Sequence, residues 1–515
     1  MPFAYPCAPV PETVEGHYGR LCPGEWLPFD EDMLRELAQR MRDSPEKRLA
    51  RARPLEGLTR LPSGYVYFGQ FIDHDLTRDG RALADAGPDV EATPNYRTSK
   101  LDLDHLYGKT PAAVPCLYER DGESLRVGLT REATTLTGQT LPASLDDLRR
   151  TNGVPLIIDP RSDENLFAAQ LHVLFAKFHN QVLELLKEQP ALSPGPIGGS
   201  LFDQARRFVT WQYQWLILYD FLPRIVRLNV LQRVEQNRFR LFARSCSPAD
   251  SPFALPVEFT TAAFRFGHSM VRGSYILNDH GPQNLDTIIR MTKRGGGITE
   301  RLPAQYVIDW SRFVGANPGR VNRARFIDTH LTEQLYTVHC PTARGVRWQD
   351  EGRAARTGNR DALVPPLPEL TLRRASKVRL PSSQECISHF GLPVTVQGDN
   401  IAPPEDMAFF RSAGLAERTP LWYYILREAA TEPNPEPGFG PYPPRQKLGT
   451  LGSLIVSEVT YQVLNSDSDS IRHAGRTWQP PTFRFGHPSR LWSLRSLGEV
   501  AAFVADASRA PDRCL

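Results

Sequence analysis

Apolar side chains recur at helical spacing along most of the chain. Met33, Leu34, Leu37 and Met41 share one face behind Asp30, which predicts a helix capped by that aspartate. Leu166, Leu171, Leu174, Phe175, Phe178, Val182 and Leu186 predict a long helix over 165–187. The aromatic-rich stretch 202–222 predicts another, ended by Pro223 because proline cannot continue the ladder. Segments 421–430 and 453–464 add two more, and strand signals are few and short. The expected fold class is therefore mainly α with little β. Six prolines in the twelve residues 433–444 predict a loop there. No repeat of solenoid length is visible. One short string recurs, Phe264-Arg-Phe-Gly-His268 and Phe483-Arg-Phe-Gly-His487.

Composition changes this picture little. The chain has 515 residues, 41% apolar and 23% charged, with 61 basic against 58 acidic side chains. Such near-neutrality gives no broad cationic field for nucleic acid or anionic lipid. Seven scattered cysteines, odd in number and never spaced as CxxC, predict neither a disulfide framework nor a zinc site, so a reducing compartment is the default. The first residues lack a basic stretch followed by an apolar run, so no signal peptide is expected, and no stretch is apolar for long enough to span a bilayer. A cytoplasmic or non-classically exported protein is the expectation.

Two polar clusters carry candidate chemistry. In Tyr65-Val-Tyr-Phe-Gly-Gln70-Phe-Ile-Asp73-His74-Asp75-Leu76, helical spacing puts Gln70, Asp73 and His74 on one face. Asp75 is rotated about 100° from His74 and must serve something else. The apolar flanks argue that this polar face is buried, where idle charges are costly. About thirty residues on, Thr98, Lys100, Asp102 and Asp104 alternate in a loop that offers several oxygens, two carboxylates among them. Such hard donors suit Ca²⁺, with Asp75 as a fifth ligand and Lys100 contributing its carbonyl. The spacing is not that of an EF-hand.

Gly69-Gln-Phe-Ile-Asp-His-Asp75 and Thr98-x-Lys-x-Asp-x-Asp-x-x-Tyr-Gly108 resemble the distal-histidine and calcium motifs of the animal-type haem peroxidases, the peroxidase-cyclooxygenase superfamily, in a bacterial-like form. The likeness continues in order. Asp159-Pro-Arg161-Ser-Asp-Glu164-Asn resembles the distal-arginine segment, and Ala263-Phe-Arg265-Phe-Gly-His268-Ser-Met the proximal-histidine helix. Leu372-Arg-Arg374 and Pro420-Leu-Trp-Tyr-Tyr resemble the C-terminal half. The resemblance covers about 55–465. It implies one large helical domain around a buried haem b, with an N-terminal arm over 1–54, the haem peroxidase domain over 55–505 and a C-terminal tail over 506–515. The polar segment 292–366 is a variable, insertion-like part that either shapes substrate access or decorates the surface.

What the resemblance implies for the site follows residue by residue. His268 is the proximal iron ligand; its rival His487 is followed directly by Pro488, which a helix interior does not tolerate. His74 is the distal acid-base group, Arg161 a fixed positive charge where peroxide is cleaved, and Gln70 a group that orders water or a small anion. Asp73 and Glu164 stand where the family esterifies its haem, and they either form such links or hydrogen-bond the haem edge. Thr371 falls where the family has an asparagine behind the proximal histidine, which predicts a weaker hydrogen bond and altered tuning. The implied function is reduction of H₂O₂ to water through a ferryl and radical intermediate, with oxidation of an organic or halide donor.

Two other functions compete. A fatty-acid dioxygenase of cyclooxygenase or α-dioxygenase type needs a radical-forming tyrosine three residues before the proximal histidine, where this chain has Arg265; Tyr275 and Tyr336 carry no mark of that role. A non-enzymatic haem or calcium binder predicts loss of the distal pair, yet His74 and Arg161 are both present.

Overall fold

The long apolar-periodic segments form helices whose ends coincide with polar caps. These elements belong to a computed structural model that describes residues 13–43, 58–242, 253–337, 365–433 and 445–507, apart from positions 82, 136, 195–198, 237, 239, 293, 295–296, 298–299, 316–318, 474–477 and 488. Helix α1 (Glu31–Arg40) starts where the Asp30 side chain accepts the Met33 N–H. Helix α2 (Gly64–Leu76) begins at a glycine because the Phe313 carbonyl would lie 2.6 Å from a Cβ there. Helix α3 (Leu166–Glu188) is capped by the Asn165 side chain, which accepts the Ala168 N–H. Helix α4 (Leu201–Leu216) opens with a reciprocal Ser200–Asp203 capping box.

The expected stop at Pro223 does not occur. After α4 the chain widens into a π turn, Ile217–Phe221, and continues as the short helix α5 (Leu222–Ile225) with Pro223 in its first turn. The wider turn starts a new helix, and in its first turn the missing proline N–H costs nothing. The C-terminal half adds α6 (Leu285–Arg290), α7 (Leu367–Lys377), α8 (Ser383–Phe390), α9 (Leu421–Thr431), α10 (Thr450–Ser466) and α11 (Leu497–Ala507). The proline-rich 434–444, the stretch 338–364 and the tail 508–515 lie outside the described residues.

Strands are short and serve as stitches. β1 (Gly16–Gly19) is the middle of a three-stranded sheet, antiparallel to β2 (Pro94–Asn95) and parallel to β3 (Ala254–Pro256), with His17 opposite Ala254. The N-terminal segment is thereby woven into the body. Phe29 N–H donates to Ser376 Oγ of α7 at 2.8 Å, and Arg40 pairs with Asp406 at 3.0 Å. His487 sits exposed in the hairpin Phe483–Arg484 and Leu491–Trp492, outside any helix.

One contiguous apolar core runs from Tyr18 to Val504. At its centre α2 lies on α3 and α4: Phe71 stacks on Phe175 with centroids 4.8 Å apart, and Tyr213 meets Phe68 and Phe71 edge-on at 5.9 and 6.0 Å. Each such ring contributes about 1.5–3 kcal/mol by burial alone. This packing fixes the height and rotation of α2. Among the described residues no helix is long and apolar enough to cross a membrane.

The cysteines depart from expectation at one position. Cys116 is disulfide-bonded, to a partner outside the described residues, while Cys22 and Cys386 are free and buried. Pairing depends on distance in the fold, which scattered spacing does not encode. The cysteines therefore give no basis for a reducing compartment.

Phe71→Ala is expected to destabilise the protein by about 3–5 kcal/mol, read from denaturant midpoints, because it opens a cavity in this cluster. Val154→Ala, at a side chain 52% exposed, is expected to change stability by less than about 0.5 kcal/mol.

Candidate active site

The polar face of α2 opens into a cavity of about 560 Å³, a size typical of cofactor and substrate sites. Gln70, Asp73 and His74 line it from successive turns. The turn Pro160–Asp163 and the residues after it bring Arg161, Glu164 and Asn165 to the same wall. From elsewhere in the fold, the 3₁₀ segment Ala263–Met270 contributes Arg265 and His268, and α7 contributes Thr371. Eight residues singled out in the sequence thus border one space.

On the His74 side, a single carboxylate collects the polar groups. Glu164 Oε1 accepts from the Gln70 amide and lies 3.3 Å from His74 Nε2, and the Asn165 amide donates to Gln70 Oε1 at 3.3 Å. Burial pushes the Glu164 carboxyl up, but its bond to His74 and the charges of His74, Arg161 and Arg294 outweigh this and hold it below its usual value. Arg161 is held by Asp159: its Nε donates to Oδ1 at 3.0 Å and its Nη2 to Oδ2 at 2.7 Å. The same Nη2 reaches the carbonyls of His74 and Thr77 at the end of α2, at 3.0 and 2.5 Å. Burial opposes the Arg161 charge, yet Asp159 keeps the guanidinium protonated above its ordinary range.

Asp159 and Arg97, which hold this wall together, are among the residues that the sequence did not single out. Asp159 is fully buried and takes a second guanidinium, Arg97, whose Nε donates at 3.1 Å. Burial pushes Asp159 up, but the two arginines carry it well below the carboxylate range. An aspartate directly before a proline, at a helix-cap position two residues from an arginine, is the signal that was available.

Opposite, the His268 imidazole is half-buried, and desolvation together with Arg265 pushes its pKa down to about 3. It is therefore neutral, the form that ligates a metal. Its Nδ1 lies 3.4 Å from Thr371 Oγ, a long contact. Trp422 of α9, also missed, packs edge-on to the imidazole at 6.0 Å and donates its indole N–H to the Arg265 carbonyl at 3.1 Å. It fixes the 3₁₀ segment from behind.

The residues present fit a haem. Phe167, Phe221, Phe264, Phe266 and Met270 give apolar walls for a flat ring, and two histidines reach the cavity from separate elements. Along one edge Arg81, Arg265 and Arg374 line the cavity beside the carboxylates of Asp73 and Asp79. Arg81 Nε and Arg374 Nη1 both bond Asp79, at 3.0 and 3.2 Å, while Arg265 Nη2 stands 4.0 Å from Asp73. This surplus of guanidinium suits the two propionates of a haem.

Asp75 points the other way, as its rotation requires. Its Oδ1 meets His105 Nδ1 at 2.9 Å and its Oδ2 accepts the Leu103 N–H at 3.2 Å. Asp75, Asp104 and His105 bring one ligand atom each within 4.8 Å of one another. Asp102 adjoins them, accepting from Thr98 Oγ at 3.0 Å and from the Asp104 N–H at 3.2 Å. The Lys100 ammonium turns away to Asp467 at 2.8 Å. Ser99 and Leu103, with φ of 55° and 60°, take the left-handed turns that fold the loop inward. Burial and the neighbouring Asp102 and Asp104 push the Asp75 carboxyl well up, and Asp104 Oδ1 is buried without a hydrogen-bond partner. Crowded, desolvated carboxylates with an orphaned oxygen fit a divalent cation. His105 was legible only as the next residue in the motif.

A family model described as animal haem peroxidase matches residues 81–344. Over 123 residues the chain is 31% identical to peroxidase mlt-7 of Caenorhabditis elegans, which covers 24% of this chain and 16% of that protein, so only a minor part of the relative's length is spanned. The fold superposes on peroxidase A of Dictyostelium discoideum with a TM-score of 0.54 and 15% identity over 90% of each chain. It also superposes on a fatty acid alpha-dioxygenase of Arabidopsis thaliana with a TM-score of 0.52 and 12% identity, over 97% of this chain and 78% of that one. The family match takes in just over half of the chain and spans the acidic loop, Arg161 and His268, so the protein belongs to the animal haem peroxidase family.

Proposed function

We propose that the protein reduces H₂O₂ to water at a haem b held by His268 and oxidises an organic or halide donor. The observation that carries this reading is the meeting of His74, Arg161 and His268 on one cavity. Haem, when bound, supplies the iron that exchanges electrons with peroxide and then with the donor. His74 takes the proton from one peroxide oxygen and gives it to the other, so that water leaves instead of hydroxide. Arg161, locked to Asp159, keeps a fixed positive charge where negative charge grows as the O–O bond breaks. Gln70 orders water or a small anion beside His74.

Asp73 and Glu164 are the candidates for ester links to the haem edge. Glu164 is shared by Gln70 and His74, so an ester there would free both side chains for peroxide. Asp75, Thr98, the Lys100 carbonyl, Asp102 and Asp104 hold Ca²⁺, which braces α2 from its far face. Arg265 occupies the position where a dioxygenase needs its tyrosine, which favours the peroxidase over the lipid-oxidising reading. Residues 55–505 form the haem domain in this account.

His74→Ala is expected to slow the reaction with H₂O₂ by about 10²–10⁴-fold in stopped-flow Soret spectroscopy, with haem still bound. A rate near wild type would remove His74 from proton transfer. Metal removal has a signed pH dependence. The raised carboxyls of Asp75, Asp102 and Asp104 mean that their protonated forms favour the fold. That contribution is lost as pH rises from the ordinary carboxylate value of about 4 through their raised folded values. Chelation is therefore expected to lower Tm more at neutral than at mildly acidic pH, and Ca²⁺ to restore it; a chelator effect independent of pH, with no calcium by metal analysis, contradicts the site.

A further inference from the structure

Two buried thiols outside the haem site face each other across the fold. Cys22 follows β1 and Cys386 lies in α8, 364 residues later, and their sulfurs are 3.5 Å apart. Neither residue exposes any surface. The pair joins the N-terminal segment to the C-terminal half at a point already crowded with cross-links. Arg20 donates to the carbonyls of Val378, Arg379 and Pro88, and the backbone N–H groups of Leu21 and Cys22 donate to the two oxygens of Glu258 at 3.0 and 2.9 Å. Glu258 lies ten residues before His268, and Tyr18, four residues before Cys22, lines the cavity itself. Whatever fixes Cys22 fixes the strand that backs the proximal side.

We propose that Cys22 and Cys386 are an oxidation site, converted by peroxide into a disulfide that staples the N-terminal segment to α8. A disulfide needs sulfurs about 2.05 Å apart, so the sulfurs must approach by about 1.5 Å, within reach of side-chain rotation. The two thiols are in hydrogen-bond contact, so a sulfur oxidised first, here Cys386, has the other beside it to resolve it. Cys386 attacks one peroxide oxygen, the O–O bond breaks, and water leaves a sulfenic acid. The Cys22 sulfur then displaces that oxygen as a second water, forming the S–S bond. Two thiols lose two electrons and two protons, and one peroxide becomes two waters. The neighbouring Cys386 sulfur, burial and Glu258 all push the Cys22 thiol up. Peroxide acts here as a thiol oxidant, so the inference does not rest on the haem reaction.

The test uses the full haem-loaded chain, treated with H₂O₂ or diamide, denatured in an alkylating agent and digested without reductant. The expected result is a Cys22 peptide joined to the Cys386 peptide, absent after prior reduction. The oxidised protein should also melt about 5 °C higher than the reduced one, since closing so long a loop removes much unfolded-state entropy. Reductant opens the Cys116 disulfide too, so the staple's share is the part of the shift that Cys386→Ala abolishes. Recovery of Cys22 and Cys386 as alkylated thiols after both oxidants, or of Cys22 joined to another cysteine, overturns the proposal. If Cys386→Ala does not fold, the peptide map of the wild type decides alone.

Discussion

The buried carboxylate of Asp159 is the interaction on which the His74 wall of the cavity depends. It holds Arg161 by three side-chain bonds and Arg97 by a fourth, and Arg97 passes the connection on to Asp104 at 3.2 Å. One charge thereby ties the guanidinium in the cavity to the loop that meets Asp75. Burying three charges costs much desolvation, which only mutual pairing offsets. Removing one partner of such a group typically costs about 3–5 kcal/mol, because the rest are left buried and uncompensated.

From that centre the two faces of α2 take different roles. Its cavity face presents His74 to Arg161 and Glu164, while its far face sends Asp75 into the acidic loop. The aromatic packing of Phe68 and Phe71 between these faces keeps the helix from rotating. The proximal side is held more loosely in polar terms. Thr371 touches His268 at 3.4 Å, and the rigidity there comes from Trp422 and from the sheet stitched by β1.

How much of this was legible depended on the range of the interaction. Helical periodicity placed α1, α3 and α9 within a few residues, and it separated Asp75 from His74 because one turn of a helix fixes that geometry. Motif order put Arg161 and His268 on the cavity although 107 residues separate them. Partners set by tertiary contact left no trace at short range: Asp159 with Arg97, Trp422 behind His268, Arg374 on the cavity edge, and the cysteine that pairs with Cys116. Pro223 was misread because a π turn restarts the helix before it, a local device that composition does not announce.

The central claim is that one neutral imidazole, His268, ligates a haem whose opposite side is left to His74 and Arg161. The ferric EPR spectrum of the haem-loaded protein tests it most directly. The account predicts a high-spin signal that disappears in His268→Gly and returns when free imidazole is added. A low-spin, two-imidazole signal in the wild type, or an unchanged spectrum in His268→Gly, contradicts it.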